Sequence, residues 1–129
     1  MRVQSFALCC LLLAVGLEAC KITVKVRSRT ETPFRFQMFI PAIHQQSELI
    51  TFTGKGDRDI KIQGKDCNTK HWTFKTWKQT AAGEWVPAKE TKGKYEGEGW
   101  FRVIIDSDLA PFLYDRQGIM CSEGTIGGC

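Results

Sequence analysis

After residue 20 the sequence has no apolar run approaching the roughly 20 residues that a membrane-spanning helix needs. It also lacks the local signatures of catalysis. There is no G-x-S-x-G elbow, no H-E-x-x-H pair, no P-loop and no dinucleotide fingerprint. Histidine is scarce: His44 and His71 are the two in the chain and they lack ligand spacing. No C-x₂₋₄-C pair exists, which removes the usual zinc arrangements. Nothing in the spacing of Ser47, Asp66 and His71 recommends a triad, and Gly54-Lys55-Gly56 reads as a turn rather than a phosphate cradle. Glu96 and Glu98 are two apart, hence on one side of a strand, where paired carboxylates are usually solvated. Asn68-Thr69-Lys70 misses the N-linked glycosylation sequon. No repeat, low-complexity tract or interdomain linker appears. The absences point away from an enzyme, and no cofactor is expected.

The one long apolar segment lies at the start. Arg2 supplies a positive n-region and Phe6–Val15 an uncharged core, so residues 1–19 read as a secretory signal. Gly16 and Glu18 interrupt it too early for a membrane span. Two cuts follow small residues, one after Gly16 and one after Ala19, and both leave Cys20 on the product. Removing residues 1–19 deletes one cation, Arg2, and one anion, Glu18, so the formal charge stays at +4. That balance suits a soluble extracellular chain with some attraction to anionic surfaces. It is far short of what a nucleic-acid binder carries.

Cys9 and Cys10 fall inside the discarded core. Cys20, Cys67, Cys121 and Cys129 remain, and an even count in a short secreted chain favours two disulfides. Three pairings are open. The competing view makes Leu17-Glu18-Ala19-Cys20 a bacterial lipobox with Cys20 acylated. Glu18 fits such a box poorly, and acylation would leave three cysteines unpaired.

Along residues 20–129, period two dominates. Ile22, Val24 and Val26 alternate with Thr23, Lys25 and Arg27, and Phe34, Phe36, Met38 and Ile40 alternate with Arg35, Gln37 and Phe39. Ile50 and Phe52, Ile60 and Ile62, Trp72 and Phe74, Trp85 and Val86, and Phe101, Val103 and Ile105 mark further strands. Ala82-Gly83 is a hairpin turn between the fifth segment and the sixth. The expectation is one all-β domain, an antiparallel β-sandwich of immunoglobulin-like or C2-like type with seven to eight strands. If every connection reverses the chain, Cys20, Cys67 and Cys121 gather at one pole, with Cys129 on a glycine-rich tail able to reach them.

The same parity sends Asp57, Asp59, Asp106 and Asp108 to the opposite pole. Loop carboxylates converging there suit calcium, although Arg58 offsets one pair and Asp in turns ordinarily accepts local N–H bonds. Lys21, Lys25, Arg27 and Arg29 form a basic stripe along the first strand. They suit sulfated glycans or anionic headgroups, or else protect a terminal edge strand from pairing with another molecule. Trp72, Trp77, Trp85 and Trp100 lie close in sequence, but Trp72 and Trp77 have opposite pleat phases. An exposed tryptophan platform would stack on sugar rings or fill a partner's pocket; the alternative is core filling.

Cys20-Lys21-Ile22-Thr23-Val24-Lys25-Val26, Pro33-Phe34-Arg35-Phe36, Thr51-Phe52-Thr53, Gly64-Lys65-Asp66-Cys67 and the tail from Cys121 to Cys129 resemble a group of small secreted disulfide-containing β-proteins of nematodes. The resemblance implies an extracellular location and a compact disulfide-bonded β-fold, and it carries over no functional residue. The function expected is therefore a non-enzymatic extracellular interaction module with a protein or glycan partner. Calcium-dependent or charge-driven binding of membrane or glycan surfaces is the first alternative, and enzyme inhibition the second.

Overall fold

Wherever the sequence alternates apolar and polar residues, the computed structural model, which describes residues 20–127, has a strand. The leader expected over residues 1–19 and the fourth cysteine, Cys129, lie outside the described residues. Eight strands follow in order: β1 (Cys20–Ser28), β2 (Phe34–Ile40), β3 (Gln45–Gln46), β4 (Ile50–Phe52), β5 (Gly56–Gly64), β6 (Trp72–Gln79), β7 (Trp85–Ile105) and β8 (Phe112–Ser122). A 3₁₀ turn at Pro41–Ile43 is the only helical element among the described residues. None of them forms a helix long and apolar enough to cross a membrane.

The strands make one sheet in the order β3-β2-β6-β7-β1-β5, with β4 also on β2 and β8 also on β7, and it curls into a half-barrel. The architecture is all-β, as the alternation predicts, but the pairing is mixed. β1 runs parallel to β7, with Cys20 opposite Gly97 and Ser28 opposite Ile105. The segments around Trp85 and Phe101, expected as two strands with a reversal between them, are the two ends of one strand. β7 pairs antiparallel with β6 over residues 85–93 and parallel with β1 over residues 97–105.

Glycine and tyrosine explain how β7 bends without breaking. Its inward positions across the bend are Gly93, Tyr95, Gly97 and Gly99. A Cβ on Gly93 would sit 2.6 Å from the Tyr95 hydroxyl, so Gly93 makes room for that ring. Gly97 (φ +114) faces the Gly118 carbonyl so closely that a Cβ there would strike it. Between Gly97 and Trp100, β7 carries one more residue than β8, a bulge that turns the strand. A second shift, between Arg102 and Val103, puts the extra residue on β8 and swings Tyr114 out to solvent.

Inside the curl, Trp72, Phe74, Tyr95 and Phe101 form one aromatic cluster. Tyr95 stacks on Phe101 at 4.6 Å and meets Trp72 edge-on at 5.1 Å. Pairs of this kind contribute about 0.5–1.5 kcal/mol beyond the area they bury. Burial pushes the Tyr95 phenol well above its ordinary pKa. At one end the Cys20–Cys67 disulfide links β1 to the loop before β6, and the Trp72 indole donates to the Cys67 carbonyl at 2.8 Å. Cys121 stands opposite Tyr95, two residues along β7 from the partner of Cys20, and is likewise disulfide-bonded. Three cysteines therefore share one pole, as the parity argument requires.

Three outcomes check this account. Gly97→Ala forces a Cβ into backbone at positive φ and should cost at least about 2 kcal/mol in a urea melt. Gly56→Ala, with nothing within 4 Å of the added carbon, should stay within about 0.5 kcal/mol of the parent. Cys67→Ser opens a loop closed across 47 residues and should cost about 2–5 kcal/mol, with one new thiol titrating in the denatured protein.

Candidate functional site

The curled sheet has two outer surfaces, and strand phase decides what each displays. On β1 the odd positions face out, which brings Lys21, Thr23, Lys25 and Arg27 to the surface shared by β5, β1, the second half of β7 and β8. Opposite them β5 places Gln63, Lys61, Asp59 and Asp57, and β7 places Glu98, Trp100, Arg102 and Ile104. The basic stripe is therefore real as a row and cancelled as a field. Lys25 lies opposite Asp59 in the ladder, Arg27 bonds Asp57 at 2.7 Å, and Arg102 bonds Asp115 at 3.1 Å. Asp57 also holds the Arg27 guanidinium more firmly protonated, chiefly through that hydrogen bond. Lys25 and Arg102 flank the Trp100 ring at 4.5 and 5.4 Å. Nor does the stripe guard an edge. β1 is paired on both sides, by β5 and by β7, so the terminal-edge reading of these lysines and arginines is corrected.

The stripe ends at the pole away from the cysteines, in an open depression of about 710 Å³ lined by Arg27, Ser28, Arg29, Lys55, Gly56, Asp57 and Asp106. Arg29 takes Asp106 through two bonds, Nε–Oδ1 at 2.9 Å and Nη2–Oδ2 at 2.6 Å. The rings of Phe112 and Tyr114 lie 5.6 and 5.9 Å from its guanidinium carbon. The four aspartates of the calcium expectation are thus brought to one end but not to one point. Asp57 and Asp106 face arginines, Asp59 sits further along β5 opposite Lys25, and Asp108 caps its own turn by accepting the Ala110 N–H at 3.1 Å. Among the described residues no group of three or more His, Cys, Asp or Glu side chains is arranged to hold a metal ion.

The other surface, over β4, β2, β6 and the first half of β7, carries what the linear motifs did not assemble. Outward positions are Arg35, Gln37 and Phe39 on β2, Thr73, Lys75, Trp77 and Gln79 on β6, and Trp85, Pro87, Glu90 and Lys92 on β7. Arg35 lies 4.4 Å from the centre of the Trp85 ring and donates to Thr51 Oγ1 at 3.2 Å. Lys75 lies 5.3 Å from the Phe39 ring, and 3.9 Å from Glu90. The opposite phases read for Trp72 and Trp77 hold: Trp72 is buried, whereas Trp77 and Trp85 are half-buried on this outer surface. The hairpin at Gly83 (φ +87) brings the two together, closed by the Thr80 N–H on the Glu84 carbonyl at 2.7 Å.

Beside Trp77 the ladder slips by one residue. Pro87 stands opposite Trp77 with no N–H to donate, and Ala88 is the extra residue. The buried Thr76 hydroxyl pins the bulge, donating to the Leu109 carbonyl at 2.7 Å and accepting the Lys89 N–H at 3.2 Å. The result is a depression of about 340 Å³ lined by Lys75, Thr76, Trp77, Pro87, Lys89 and Glu90, with Ala88 at its base. The tryptophan spacing was a legible signal for this surface. The pairing of Trp85 with Arg35, fifty residues away in the chain, was not.

No protein-family model matches the chain, and no curated protein matches it either.

Asp106 gives a direct check on the pole. The Arg29 hydrogen bonds hold its carboxyl below the ordinary aspartate range. NMR titration should find the Asp106 carboxyl lowered in the parent and returned toward its usual value in Arg29→Gln. Because the folded value lies below the unfolded one, the contact supports the fold at neutral pH and is lost as pH falls through the folded value. Both groups are well exposed, so the loss should register as a small change in melting temperature rather than as unfolding.

Proposed function

We propose that the protein is a small secreted, non-enzymatic binding module, and that its working surface is the outer face of β2, β6 and the first half of β7. One observation carries the reading. Trp77 and Trp85 lie half-buried on the same outer face, diagonal to each other across the hairpin, with Arg35 stacked on Trp85. Tryptophan and arginine are the residues that most often dominate binding energy, because each brings a large contact area with little freedom to lose. An arginine already stacked on a ring is partly ordered before a partner arrives, which lowers the cost of association. Secretion is supported by the Cys20–Cys67 bridge, a bond that persists in oxidising compartments, and by the apolar leader in the sequence. The proposal places the chain with the small secreted nematode proteins whose motifs it resembles.

Extracellular matrix from the source tissue, incubated with the labelled mature chain, tests the assignment. Arg35→Ala with Trp85→Ala should reduce retention by at least about tenfold while the far-UV spectrum and thermal midpoint show the fold intact. Equal retention of this variant and the parent would remove the surface from consideration.

A further inference from the structure

We infer that the depression beside Trp77 is a seat for an acidic sugar residue, a uronate or a sulfated sugar, within an extracellular polysaccharide. The inference rests on the surface proposed above and names its partner class. At about 340 Å³ the depression lies at the small end of the range for small-molecule sites, about 300–1,000 Å³. Its lining is divided as a sugar ring is divided. The Trp77 ring and Pro87 offer an apolar wall against which a row of C–H groups can stack. Lys75 offers an ammonium group for a carboxylate or sulfate, and Glu90 offers acceptors for ring hydroxyls.

Charge separates this surface from the opposite one. The surface over β1 shows five cations, Lys21, Lys25, Arg27, Lys61 and Arg102, against four anions, Asp57, Asp59, Glu98 and Asp115. Around Trp77 the outward cations are Arg35, Lys75 and Lys92, and Glu90 is the one anion of that set. Lys75 reaches Glu90 only at 3.9 Å, the limit of an ion pair, which leaves its ammonium available to a second acceptor. Arg35 and Lys92 then lie outside the depression on the same face, where neighbouring acidic sugars of a polymer would pass.

The lining also argues against a protein knob as occupant. Cores of protein interfaces are depleted in lysine and glutamate, and three of the seven lining residues here are of those types. The bulge is held from below by Thr76, bonded to Leu109 and Lys89, so the seat is formed before any ligand arrives.

The test titrates the isotope-labelled mature chain with a fully sulfated heparin tetrasaccharide, and separately with neutral cellotetraose, at about 0.15 M salt, where long-range charge effects are screened. Saturable shifts centred on Lys75–Gln79 and Pro87–Glu90 are expected, with the neutral sugar at least about tenfold weaker. Trp77→Ala, and separately Lys75→Gln, should each weaken the sulfated probe at least about tenfold. Lys25→Gln with Lys61→Gln, on the opposite face, should leave affinity within about twofold. No saturation, shifts centred on β1, or equal binding by all variants would overturn the inference. Polysaccharide lyase treatment of the matrix separates the two levels. Retention that resists the lyase but falls in Arg35→Ala with Trp85→Ala refutes the sugar and keeps the surface. Retention unchanged in that double variant refutes both.

Discussion

The structure depends on β7 passing unbroken from one half of the sheet to the other. Its first half pairs with β6 and its second with β1 and β8, so one strand makes three of the sheet's pairings and links its two halves. Continuity requires a bend, and the bend requires residues without side chains where β8 approaches. Gly97, Gly99 and Gly118 meet there backbone to backbone. Tyr95, carried inward between Gly93 and Gly97, fills the space the glycines leave and completes the aromatic cluster with Trp72, Phe74 and Phe101. A turn in place of the bend would separate two sheets, and the cluster would lose the ring that links its members.

From that curl follow two outer surfaces of different character. Pairing β1 centrally, between β5 and β7, sets its cations opposite acids supplied by both neighbours. Exposed ion pairs of this sort add little stability, about 0–1 kcal/mol each, but they remove the long-range field that a free basic row would generate. On the surface over β2 and β6, Arg35 and Lys75 also meet aromatic rings, but Glu90 is the one acid among the outward residues opposite them. An acidic partner, as proposed, would meet that difference in arrangement rather than the total of +4.

Much of the fold was legible because β1, β2 and β6 alternate strictly, and a half-buried strand has no other way to show itself in sequence. The cysteine pole was legible from chain direction alone. β7 was not, because its inward positions through the bend are Thr91, three glycines and one tyrosine, which carry almost no hydrophobic pattern. The parallel β1–β7 pairing was hidden for a different reason: register between segments some 77 positions apart leaves no local trace. The basic stripe illustrates the same limit. Lys25 and Arg27 read as a positive surface until Asp59 and Asp57 arrive from β5, and only the ladder brings them. The Trp77 depression depends on Pro87 meeting Trp77 across a hairpin, so its components were visible and their assembly was not.

The continuity of β7 is tested most directly by backbone nuclear Overhauser contacts in the labelled mature protein. The account predicts a parallel series between β1 and β7, from Ile22 with Gly99 through Val24 with Phe101 to Val26 with Val103, and sequential strand contacts unbroken from Gly93 to Trp100. An antiparallel series between the same segments, or turn contacts between residues three apart within Lys94–Gly99, would contradict it.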